Sequence, residues 1–212
     1  MTYRKHLKFL VTGAAIAAVL ALVLAQSPKG KAAGGGDDSE SKIQRGFAIA
    51  PVPLNLKGKN RAQVGLGSYL VNAVGDCNGC HHRALSDSSP FTPGHNPYLG
   101  EPKQTDPAGY LAGGNSLFGP FVPRNLTPDK AGVPEGGASF EEFLGIMRTG
   151  IDPDHAHPFA GPYLQVMPWP AFQDMTDNDL RAIYEYLSAI PCIEGDPGLP
   201  PASQHPPGTR CH

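Results

Sequence analysis

Four segments of the chain carry an apolar pattern that calls for a definite element. Phe9 to Ala25 is a run of 17 residues broken only by Thr12 and Gly13, with no face and no period. From Gln63 to Val74, apolar side chains at Val64, Tyr69, Leu70, Val71 and Val74 predict a helix that stops at Gly75. Phe140, Phe143, Leu144 and Met147 form the stripe of a second helix, opened by Ser139 with Glu142 three positions on as a capping box. Leu180, Ile183, Tyr184, Leu187 and Ile190 mark a third, from Thr176 to about Ala189, with Asp179 as the partner of the Thr176 cap. Gly65 and Gly67 weaken the first helix by about 1 kcal/mol each relative to alanine. They make sense where another helix must approach closely, and the last helix is expected to cross there.

Composition changes this picture in one respect. The 212 residues include 26 glycines and 23 prolines, and between Pro90 and Gly137 there are nine of each. Such a chain has more loop than its few helices can organise. Length suggests one domain, placed at residues 51–191. A net charge of -2 shows no basic surface for nucleic acid, and no nucleic-acid partner is expected.

The N-terminal run has the form of an export signal. Arg4, Lys5 and Lys8 precede it, and Val23-Leu24-Ala25 offers small residues for cleavage before Gln26. Residues 1–25 are therefore a signal peptide or an uncleaved anchor, and the protein is expected outside the cytoplasm, touching a membrane only if the segment is retained. Cleavage leaves 14 basic against 19 acidic residues, a surface able to steer a positively charged partner. Residues 26–50 follow as a flexible low-complexity linker, on the evidence of KGKAAGGGDDSESK. At the other end, residues 192–212 form a proline-rich extension holding Cys192 and Cys211. In an oxidising compartment these two are expected to pair and staple the tail. A metal site from Cys192, His205, Cys211 and His212 is the alternative, although its spacing matches no familiar zinc pattern.

The remaining cysteines stand in Cys77-Asn78-Gly79-Cys80-His81. This C-x-x-C-H spacing is the signature of c-type haem attachment. Two thiols on one helical turn can add to the two vinyl groups of one haem, and the histidine after them presents a ring nitrogen to the iron. A redox disulfide would sit beside a strand-helix unit, and no β-rich run precedes the motif. A zinc site would need a second ligand pair, and none is convincing. His82 is out of register and expected to be an exposed neighbour.

An electron carrier needs a second axial ligand. The candidates are Met147, Met167, Met175, His155 and His157. Met147 belongs to an apolar stripe, and Met175 precedes a helix cap where it would staple against Leu180. His155 and His157 lie in a polar loop. Met167, in Val166-Met167-Pro168-Trp169-Pro170, lies outside the helical patterns, and its prolines are expected to hold the segment extended. Met167 is the preferred ligand, with the two histidines as alternatives.

With these residues in view, the chain resembles the monohaem class I cytochrome c family, closest to the domains that serve bacterial periplasmic dehydrogenases. The likeness covers roughly 61–191 and is carried by GSYLVNAVGDCNGCH, GPFVPRNLTPDKAGVPEG, SFEEFLGIMRTG and LQVMPWPAFQDMTDNDLRAIYEYLSAIP. It implies an all-α fold of about four helices wrapped by loops around one covalent haem c, attached at Cys77 and Cys80, with His81 as proximal and Met167 as distal ligand. Arg124, in a stretch similar to one that contacts the haem in such domains, is implied as a propionate partner. The implied function is periplasmic electron transfer rather than catalysis, with a dehydrogenase, an oxidase or another cytochrome as redox partner. A haem enzyme or gas binder with an open sixth site is the rival. The chain departs from compact members of the family in a long insertion at 83–120 and in the cysteine-bearing tail.

Overall fold

The computed structural model describes residues 36–83, 89–114, 120–152, 159, 161–195 and 211. The expected signal segment, His155, His157, His205 and His212 lie outside the described residues. The described residues from Asp38 onward belong to one compact unit. Among the described residues there are helices α1 (Gly36–Ile49), α2 (Arg61–Tyr69), α3 (Cys77–His81), α4 (Phe140–Thr149), α5 (Trp169–Phe172) and α6 (Asp177–Leu187), with a 3-10 turn at Pro97–Leu99. They include no strand beyond two isolated bridges, Phe91 with Thr105 and Ile151 with Tyr163. The fold is thus all-helical, with long loops between the elements.

Each predicted helix is present, with shifted ends. Asn60 caps α2, its side chain accepting from the Ala62 and Gln63 amides. Beyond Tyr69 the helix widens into a π-turn over Leu70–Val74. Such wider turns occur mostly as single-turn insertions and are frequent near functional sites. Ser139 and Glu142 form the full capping box of α4. These hydrogen bonds hold the Glu142 carboxyl below its ordinary range. Thr176 accepts from the Asp179 amide at the start of α6.

The core lies where α2 and α6 cross, with Val64, Val71, Leu180, Ile183, Leu187 and Ile190 buried between them. A Cβ at Gly67 would overlap the Ala182 carbonyl, so the two backbones touch at that point. Phe140 and Tyr184 meet edge to face at 5.4 Å and join α4 to α6. Tyr186, whose side chain the helical stripe does not single out, is fully buried and closes a polar cluster. There the Tyr110 hydroxyl donates to Asn72 Oδ1 at 2.6 Å and lies 2.8 Å from the Tyr186 hydroxyl.

The linker expectation needs correction over residues 36–49. Its Gly-, Ser- and Asp-rich composition hides a helix whose one apolar edge, Ile43 with Phe47, packs on α2. Gly46 faces Gly65 so closely that a side chain on either would strike the other helix, and the Ser68 hydroxyl donates to the Gly46 carbonyl at 2.7 Å. Gly65 and Gly67 therefore each serve a separate close crossing. Gly145, in contrast, has nothing near its missing Cβ. Gly145→Ala is expected to stabilise the protein by about 0.5–1 kcal/mol, read as a higher urea midpoint with an unchanged slope.

Candidate haem-binding site

The helix that carries the cysteines is short, and its position is set by its neighbours. Asp76 takes a left-handed conformation (φ 44°) and turns the chain sharply from the π-turn into α3. Buried Asn78 then accepts from the Leu111 amide at 2.8 Å, while the Gly113 amide donates to the His81 carbonyl at 2.7 Å. A loop at 109–114 thus runs against the motif and fixes it from one side.

On the other side opens a cavity of about 630 Å³. Its wall includes Cys77, Cys80 and His81, and also Met167 from the segment before α5. Leu70, Val74, Phe121, Ile146, Val166 and Phe172 make much of the wall apolar. Val74 is 61% exposed although it belongs to the predicted apolar stripe of α2, because that end of the stripe faces the cavity.

Cys77 and Cys80 are free thiols. Burial, with Asp76 adding a smaller push, raises the Cys77 thiol to about 12 and moves Cys80 in the same direction. Both are held protonated. His81 Nδ1 lies 2.8 Å from the Arg124 carbonyl. A carbonyl only accepts, so Nδ1 carries the proton and Nε2 keeps its lone pair for a metal. Burial lowers the His81 pKa against the opposing pull of that hydrogen bond, which favours the neutral, ligating form.

Met167 sits at a turn and not on the extended segment expected from its prolines. Pro168 (φ -78°, ψ 49°) makes an inverse γ-turn, with the Trp169 amide donating to the Met167 carbonyl at 2.8 Å. Helix α5 starts immediately after it. The Trp169 indole packs on Gly150 and donates to the Leu164 carbonyl at 3.2 Å, which anchors the turn. Met147 and Met175 line the cavity too, so three thioethers converge on it. Met147 is buried, as its stripe requires.

Arg124 lines the cavity with its guanidinium already engaged. Nη1 donates to Glu135 at 2.8 Å, and Nη2 donates to both carboxylate oxygens of Asp152 at 2.8 Å. Sequence reasoning missed the part its main chain plays for His81, which no side-chain pattern could disclose. His82 also departs from expectation, being 1% exposed. The chain leaves the helix at His82 (ψ 155°), and its ring turns back so that Nδ1 donates to the Asn78 carbonyl at 3.0 Å.

In the tail, Cys192 and Cys211 are joined by a disulfide, which takes both sulfurs out of the alternative metal site. Among the described residues no group of three or more His, Cys, Asp and Glu side chains could hold a metal ion, and no helix is long and apolar enough to cross a membrane. A haem pocket with one histidine and one thioether is not such a group. The residues present fit a haem: two thiols, an oriented imidazole and a thioether from a separate segment line one largely apolar cavity.

Comparison with known proteins agrees with that fit. The chain is 29% identical over 131 residues to the gluconate 2-dehydrogenase cytochrome c subunit of Pantoea cypripedii, covering 60% of this chain and 23% of the relative. It is 28% identical over 141 residues to the fructose dehydrogenase cytochrome subunit of Gluconobacter japonicus, covering 65% of this chain and 22% of the relative. The matched part spans less than a quarter of either relative. No family model and no solved structure matches the chain. The relatives support a cytochrome c-like relationship.

Proposed function

We propose that this chain is a periplasmic electron carrier of the class I cytochrome c type, holding one haem c through thioethers to Cys77 and Cys80, with His81 and Met167 as axial ligands. The observation that carries the reading is the single cavity walled by both thiols, the oriented His81 imidazole and the Met167 thioether. Haem bound there supplies a one-electron ferric/ferrous couple. The protein's part is to keep both ligands in place in the two states and to exclude water with the apolar wall. A thioether favours the ferrous form and raises the potential.

Arg124 meets a propionate in this reading only by sharing its guanidinium with Glu135 and Asp152. The N-terminal apolar segment and the Cys192–Cys211 disulfide support export. A dehydrogenase is the partner that the relatives' names suggest, with an oxidase or another cytochrome as further redox partners.

The test is the optical spectrum of the full-length protein made in cells that attach haem c. Haem that stays with the denatured chain, together with the weak far-red ferric band of sulfur ligation, is the expected result. Absence of that band, with rapid carbon monoxide binding to the reduced protein, would instead establish an open sixth site and a haem enzyme or gas binder.

A further inference from the structure

The C-terminal extension supplies neither of the proposed axial ligands, yet its first residues reach the peptide that orients His81. The acceptor for His81 Nδ1 is the carbonyl of the peptide joining Arg124 to Asn125. Gly113, at φ +67°, lies flat against this peptide, so that a Cβ there would stand 2.6 Å from both the Arg124 carbonyl carbon and the Asn125 nitrogen. One face of the peptide is therefore closed.

The Asn125 side chain reaches from the same peptide into the tail. Its Nδ2 donates to the Ile193 carbonyl at 2.9 Å, and its Oδ1 accepts from the Thr127 amide at 2.9 Å. The Thr127 hydroxyl has one proton, and Asn125 Oδ1 at 2.7 Å is nearer than the Ile193 carbonyl at 3.2 Å. That hydroxyl in turn accepts from the Ile193 amide at 3.1 Å. Both Asn125 and Thr127 are buried. Ile193 adjoins Cys192, and the Glu194 carboxylate accepts from the amide of Cys211 at 2.6 Å, so the disulfide holds this short stretch closed on itself. A second tie comes from Arg83, two residues after His81, whose Nη1 donates to the Glu194 carbonyl at 2.7 Å.

We propose that the Cys192–Cys211 clasp positions the proximal ligand, with Asn125 and Thr127 as the positioning residues that carry its constraint to the His81 hydrogen bond. The proposal rests on the haem reading above. A staple that served only the tail would not need hydrogen bonds to Asn125 and Thr127, next to the peptide that orients His81, and to Arg83, two residues after it. With the clasp open, the peptide can tilt, the hydrogen bond lengthens and the imidazole becomes a weaker donor to iron. The ferrous state gains relative to the ferric.

The test uses the full-length haem-loaded protein in three variants. Cys192→Ser with Cys211→Ser opens the clasp, Thr127→Val removes the hydroxyl with the disulfide intact, and Ser139→Ala is a destabilised control in the α4 cap, outside the hydrogen bonds that join the tail to His81. The first two are expected to raise the ratio of reduced to oxidised protein at a fixed solution potential by about threefold. A shift of about threefold is set below the roughly 10–100-fold loss of metal affinity or activity that follows removal of a direct partner of a metal ligand. They should also speed solvent exchange of the His81 Nδ1 proton, followed by NMR. Ser139→Ala should lower the unfolding midpoint and leave both readouts alone. If Thr127→Val lowers the midpoint with no change in ratio or exchange, the clasp is a staple only and the proposal is overturned, whether or not the double serine variant accumulates. A wild-type protein without covalent haem overturns the functional reading itself, a distinct result.

Discussion

Met167→Ala is expected to leave the haem covalently attached but to abolish the far-red ferric band, admit carbon monoxide to the reduced iron and lower the potential. The proposed attachment residues Cys77 and Cys80 lie on α3, a different element from the turn that carries Met167, so losing the thioether should not disturb them. The turn itself should survive, because Pro168, the Trp169 amide and the indole contact at Gly150 hold it without the Met167 side chain. In the proposed ligation, the sixth position of the iron would then be open. Axial-ligand identity spreads haem potentials over about 0.8 V, so losing a thioether should move the midpoint by roughly 0.1 V or more. Redox titration with carbon monoxide binding measures both effects. An unchanged spectrum would reassign the ligand. Met147 and Met175, which also line the cavity, then stand beside His155 and His157 as the positions to change next.

The parts of this site that could be read in the sequence are those whose chemistry resides in side chains at fixed spacing. Cys80 and His81 fall on the same face of α3 as Cys77 because they lie three and four residues after it in a helix, and the caps at Ser139 and Thr176 are local in the same sense. Periodicity marked Met147 as buried but could not tell a residue inside a core from one on a cavity wall, since both positions are apolar. The Arg124 carbonyl belongs to a group that every residue possesses, so nothing in the sequence singles it out as the partner of His81. Helix α1 was obscure for another reason. Its sequence is a poor helix alone, and it is held by the crossing of Gly46 on Gly65, a relation between residues far apart in the chain. His82 turns inward because the helix ends one residue before it, and a shift of one residue at a helix end lies beyond what capping patterns resolve.

The same reasoning makes Gly67→Ala one of the most damaging single methyl groups that could be added to the core. The new Cβ would meet the Ala182 carbonyl and its carbon on α6, and both are backbone atoms that no rotamer change can move aside. Relief requires α2 and α6 to separate, which loosens Val64 and Val71 against Leu180, Ile183 and Leu187. Overpacking of a tight core costs about 1–3 kcal/mol and occasionally more, and a rigid backbone neighbour places this case at the upper end. The gain of about 1 kcal/mol from replacing a helical glycine by alanine is too small to offset it. For a domain of this length, about 3 kcal/mol corresponds to a fall of roughly 6–12 °C in Tm, measurable by thermal denaturation. Leu70, Val71, Ile183 and Leu187 also line the cavity, so the separation should widen the pocket and lower the yield of haem-loaded protein. Gly145→Ala supplies the comparison, since the identical change in open space should raise Tm. If both substitutions left Tm unchanged or raised it, the α2–α6 crossing would not be the tight backbone contact described, and the account of why Gly67 is glycine would fall with it.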